Sequence, residues 1–81
     1  MSTDQRVHDL KTWPPFFDAL VKGTKTFEIR ENDRGFATGD TLILREWDNE
    51  LQVYTGREVR RVVTYMTSMH QKYGYVVMGL R

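Results

Sequence analysis

The sequence predicts a mainly β fold, α+β by content: a small barrel of five to six strands with one short helix near the N-terminus. Three observations lead there. Turn signals divide the chain into periodic segments of about 5–9 residues. A single segment opens with prolines in the manner of a helix. The 81 residues leave no length for the helices that a parallel sheet needs between its strands. The same length places residues 1–81 in one domain around one core.

Element by element, the first strand is expected over Arg6 to Lys11. Thr12-Trp13-Pro14-Pro15 then leads into a helix beginning near Pro14, since proline suits the first helical turn and not the interior. Phe16, Phe17, Ala19, Leu20 and Val21 supply its apolar face. Lys22 falls in its last turn, and Gly23 can take the left-handed conformation that ends it. Thr26 to Arg30 alternates with period two, so Phe27 and Ile29 point to one face and Thr26, Glu28 and Arg30 to the other. A polar loop follows at Glu31–Phe36, with Gly39-Asp40 turning into the β-rich run Thr41–Trp47. Turns at Asp48–Glu50 and Thr55-Gly56 bracket a short strand, Leu51–Tyr54. Two longer strands, Arg57–Met66 and Tyr75–Leu80, complete the set.

Composition limits what such a domain can do. With 40% hydrophobic residues the chain can build a core, which excludes a disordered tail. The absence of cysteine removes disulfides and thiolate metal sites and fits a reducing, cytoplasmic setting. Met1 to Arg6 shows no apolar run behind a basic region, and no stretch approaches the ~18 apolar residues of a membrane span. Neither secretion nor membrane insertion is therefore expected. A net charge of +1 carries no bulk attraction for phosphate, so any nucleic-acid contact must arise from a local arrangement.

The densest polar segment, Lys22 to Arg34, runs from the helix end through a strand into a loop. Within it Glu28 and Arg30 share a strand face with Lys25 at its mouth. That is either a charged pair lining a cleft, where a guanidinium grips phosphate or stacks on a base, or a solvated strand face. Glu46 has the parity of Leu42 and Leu44. Turned inward it needs a cation such as Arg30 or Lys25, whereas a bulge or a frayed strand end would turn it outward. Trp13, Trp47, Tyr54, Tyr65, Tyr73 and Tyr75 serve either as a stacking platform for bases or as core. Arg57, Arg60 and Arg61 form the best basic cluster, diluted by Glu58. His8 and His70 have no partners at metal-ligand spacing, and no phosphate loop, nucleophile elbow or His-based triad is present. No metal and no cofactor is expected.

Several segments together carry a resemblance: Val21-Lys22-Gly23, Lys25-Thr26-Phe27-Glu28-Ile29-Arg30, Asn32-Asp33-Arg34-Gly35-Phe36, Gly39-Asp40 and Leu44-Arg45-Glu46-Trp47-Asp48. In that order they resemble the ASCH superfamily. The closer likeness is to a group of small, uncharacterised bacterial and phage ASCH-like domains with the pattern KTFE-x-R-x-NDR-x-F-x-x-GD followed by an EWD strand. The resemblance runs from about Val7 to Leu80. It implies a PUA-like β-barrel with a cleft beside the helix, in a superfamily proposed to bind RNA. Lys25, Thr26, Glu28 and Arg30 match the cleft-lining motif, Asn32, Asp33 and Arg34 its adjoining loop, and Glu46 the next strand. One enzymatic branch removes the acetyl group of N4-acetylcytidine using a Lys, a Thr three residues on and a distant Glu. Lys25 matches that Lys, the Thr position is Glu28, and the distant Glu has no counterpart in the last two strands.

The resulting expectation is a monomeric RNA-binding module that takes RNA or a nucleotide in a polar cleft lined by the Lys25–Arg30 strand. Lys25, Arg30 and Arg34 would hold phosphate or base edges, with Glu28 and Glu46 orienting them. The alternative is an amidohydrolase acting on a modified nucleoside, with Glu28 or Glu46 as general base and Lys25 stabilising an oxyanion. A third reading, docking of a protein partner, calls for an exposed apolar patch around Trp13, Phe16 or Phe36.

Overall fold

A computed structural model describes residues 6–81. Their elements, in chain order, are β1 (Val7–Thr12), α1 (Pro14–Lys22), β2 (Phe27–Glu31), β3 (Thr41–Asp48), β4 (Val53–Thr67) and β5 (Tyr75–Leu80). Among the described residues the fold is mainly β, with one helix and one mixed five-stranded sheet in the order β1-β3-β4-β5-β2. The pair β1–β3 is parallel, with Leu10 beside Leu44, and the other three pairs are antiparallel. The reading of Met1–Gln5 as free of a leader lies outside the described residues.

The helix follows local chemistry. Trp13 enters in extended conformation, the prolines occupy the first turn, and Gly23 leaves at φ 81°. The amides of Thr24 and Lys25 both bond the carbonyl of Ala19, so the chain turns sharply from the helix towards β2. Of the expected apolar face only Phe17 and Leu20 are buried, while Phe16 and Val21 are about half exposed. Leu20 joins Leu10, Phe36, Leu42, Leu44, Val63, Val76 and Met78 in the core. Phe36 is therefore interior and adds nothing to an exposed patch.

The expected turn at Thr55-Gly56 does not form, and the two strands predicted around it are one strand of 15 residues. Between the pairs Arg45–Glu58 and Trp47–Tyr54, β3 advances two residues while β4 advances four. The surplus is a bulge on β4, and Gly56, at φ 96°, supplies the positive-φ residue within it. A bulge glycine and a turn glycine look alike in sequence. The long strand reaches from β3 at one end to β5 at the other.

The expected barrel does not close. β1 and β2 are the two ends of the sheet order and share no ladder. Side chains cross the seam instead: Arg30 Nη2 donates to the carbonyl of Lys11 at 2.9 Å and Arg34 Nη1 to that of Asp9 at 2.5 Å. Guanidinium groups thus hold the β1 carbonyls that a closing strand would otherwise bond.

Candidate functional site

Where the seam meets the start of α1 the surface falls into a cleft of about 840 Å³. Lys11, Thr12 and Trp13 come from the end of β1, Phe16 from the helix, Lys25 and Phe27 to Arg30 from β2 and its approach, and Tyr75 from β5. The volume lies in the usual range for small-molecule sites. Trp13 and Phe16 are half exposed, presenting aromatic surface to a ligand.

The charged centre is Glu28. It stands opposite Met78 in the β2–β5 register and is 4% exposed, so the polar face of β2 turns inward and Phe27 and Ile29 turn out. This excludes the solvated-face alternative for Glu28. Its carboxylate is held on both sides: Lys25 Nζ donates to Oε1 at 2.5 Å and Arg30 Nε to Oε2 at 2.7 Å. Lys25 also donates to the carbonyl of Phe27 and lies 4.9 Å from the centre of its ring. A carboxylate removed from water needs such partners, and each partner is fixed in turn. An ammonium has three donors and a guanidinium five, so both cations keep N–H groups beyond those engaged here.

The other sequence candidates take different places. Thr26 is exposed, and its carbonyl accepts from Leu80 rather than lining the cleft. Asn32 accepts from the amide of Phe36 at 2.8 Å and faces a neighbouring hollow formed with Ser68, Gln71, Lys72 and Tyr73. Asp33 is exposed on the same loop, and Arg34 braces β1. Glu46 is buried, as its parity allowed, but neither Arg30 nor Lys25 is its partner. Thr55 Oγ1 donates to it at 2.8 Å and Arg57 Nη1 lies 3.5 Å away, both brought there by the β4 bulge. Lys25, Glu28 and Glu46 are therefore not brought together in one site.

Among the aromatics, Trp13 and Tyr75 line the cleft. Trp47 and Tyr54 pack edge to face at 4.8 Å, with Lys11 over Trp47. Tyr65 and Tyr73 are exposed, Tyr73 almost completely at 99%. Arg57 lies over Phe17, and Arg61 donates to the carbonyl of Leu20, so two of the three clustered arginines contact the helix. His8 is buried and bonds Asp40 at 2.8 Å, while Phe36 meets its ring edge-on. Among the described residues no cluster of His and carboxylate side chains fits a metal ion.

The sequence marks neither Thr12 nor Phe27 as a site residue, and it marks Phe16 as one only for an exposed apolar patch. Thr12 is read as part of the lead into the helix, although it continues the parity of His8 and Leu10 and is buried with them. That parity is the one signal that could have found it. Phe27 reads, from its alternation with Ile29, as an ordinary core residue.

Comparison with known proteins agrees with the extent of the sequence pattern. An uncharacterised 12.9 kDa protein of Escherichia phage P2, named for its place in the GpA 3′ region, is 39% identical over 64 residues. That alignment covers 79% of this chain and 57% of the phage protein, so the chain spans little more than half of that relative's length. Residues 7–80 match the family described as a domain of unknown function, DUF3850, and the chain belongs to that family.

Proposed function

We propose that this domain is an RNA-binding module of the PUA-like ASCH kind, taking a nucleotide of single-stranded RNA into the cleft between β1, α1 and β2. The supporting observation is Glu28, buried between Lys25 and Arg30 in the wall of an aromatic-lined cleft. Aromatic faces accept any base by stacking, and fixed ammonium and guanidinium donors meet phosphate oxygens or the acceptors on base edges. Tyr75 borders both the cleft and the neighbouring hollow, which gives a strand longer than one nucleotide a path towards Lys72 and the exposed Tyr73.

The test is an amide NMR titration of labelled protein with a short single-stranded RNA at two salt concentrations. Saturable shifts centred on Thr12–Phe16 and Lys25–Arg30, weakening as salt is raised, are expected. Shifts confined to Arg57–Arg61, or none at all, would count against this site.

The direct contact of Lys25 with Glu28 favours one second reading, an amidohydrolase acting on an acylated nucleoside such as N4-acetylcytidine. Glu28 would accept a proton from the attacking water while Lys25 stabilises the oxyanion, and would pass that proton to the N4 nitrogen as the C–N bond breaks, releasing acetate and the free amino nucleoside. Acetate release on adding that nucleoside in the same tube separates it from simple binding.

A further inference from the structure

Thr12 ends β1 on the face of His8 and Leu10, is 3% exposed, and lines the cleft together with Trp13, Phe16 and Glu28. Among the described residues its Oγ1 is a buried side-chain oxygen without a hydrogen-bond partner. The neighbouring charged groups do not supply one: Lys25 and Arg30 are turned to Glu28 and to backbone carbonyls. An unsatisfied hydroxyl lowers stability, and valine would fill the same space without that cost. A threonine at such a position is explained if its partner arrives from outside.

We propose that Thr12 is a ligand-contacting, specificity-determining residue, its hydroxyl hydrogen-bonding the polar edge of a nucleobase that enters the cleft base first. This rests on the RNA-binding reading and deepens it by assigning the Thr12 wall to the base rather than to phosphate. Two features select the base. Phosphate calls for several converging donors, whereas Thr12 offers one hydroxyl in a cleft that also holds the Glu28 carboxylate. The surrounding Trp13, Phe16, Phe27 and Ile29 are apolar surfaces suited to a flat ring.

The experiment titrates wild type, Thr12→Val and Thr12→Ser with the four ribonucleosides, with ribose 5-phosphate and with a short single-stranded RNA. Urea unfolding is measured for each protein alongside. At least one nucleoside is expected to bind wild type and Thr12→Ser, with ribose 5-phosphate failing to bind. Thr12→Val is expected to unfold at the same or higher urea and to bind that nucleoside about ten-fold more weakly. Undiminished nucleoside affinity in Thr12→Val overturns the Thr12 assignment and leaves RNA binding standing. RNA binding with no nucleoside binding, or with equal binding of ribose 5-phosphate, does the same. A clear loss of stability in Thr12→Val also overturns it, because the hydroxyl would then be satisfied within the fold. Silence of wild type towards both RNA and nucleosides removes the assignment and the RNA-binding reading together.

Discussion

Glu28 shows how one carboxylate can organise a site. Both of its oxygens hold a cation, and each cation is also bonded to a backbone carbonyl, Lys25 to Phe27 and Arg30 to Lys11. Replacing Glu28 with alanine leaves two cations that are only partly buried. The expected loss is about 2 kcal/mol in urea unfolding, less than the ~3–5 kcal/mol of a fully buried pair, because Lys25 and Arg30 can recover some hydration. Asp40 is also a buried carboxylate, and its contribution to stability depends on pH. Burial by itself would raise its pKa. The His8 hydrogen bond, the amides of Arg6 and Ala37 and the His8 charge outweigh that and hold it below the usual value of 3.8. A carboxylate with a depressed folded pKa stabilises the fold at pH above its unfolded value. That contribution is lost as pH falls through the lower folded one. Wild type should therefore lose stability below about pH 4, and Asp40→Asn should flatten this part of the urea-midpoint profile between pH 2 and 5. Alternation showed that Glu28 and Arg30 share a face. Which face turns inward was not legible, because Phe27 and Ile29 are the better core residues on hydrophobicity, and only the pairing of Glu28 with Met78 decides it.

Elements were easiest to read where local chemistry dictates them. The prolines and Gly23 bounded the helix, and the run Thr41–Trp47 was a strand on β propensity alone. β4 was misread because its bulge is defined by the partner strand and not by its own residues. Gly56 should therefore behave as a conformational requirement within a strand. A β-carbon there would meet nothing within 4 Å, so Gly56→Ala carries backbone strain without a clash. The expected cost is about 1–2 kcal/mol in urea unfolding. Because Thr55 and Arg57 flank that glycine and contact Glu46, the same variant should speed exchange of the amides around Glu46.

For the whole molecule, the mainly β class with one early helix was legible from segment lengths, and closure was not. Closure depends on how two segments distant in sequence meet, and β1 and β2 meet through Arg30 and Arg34 side chains in place of a ladder. The cleft lies at one end of that seam, and the Arg30 brace forms part of its wall. Replacing Arg30 and Arg34 together with alanine should raise amide exchange in β1 and β2 well before the β3–β4 core opens, measured by native-state hydrogen exchange. The seam also bears on how copies of the chain behave towards one another. Among the described residues each of its two strands has a ladder partner on one side only, and a strand edge presented to solvent is a template for intermolecular pairing. Turning the two edges towards each other under a pair of arginines keeps both from neighbouring molecules. The double variant should accordingly aggregate at protein concentrations where wild type stays dispersed, even while most of its fold survives.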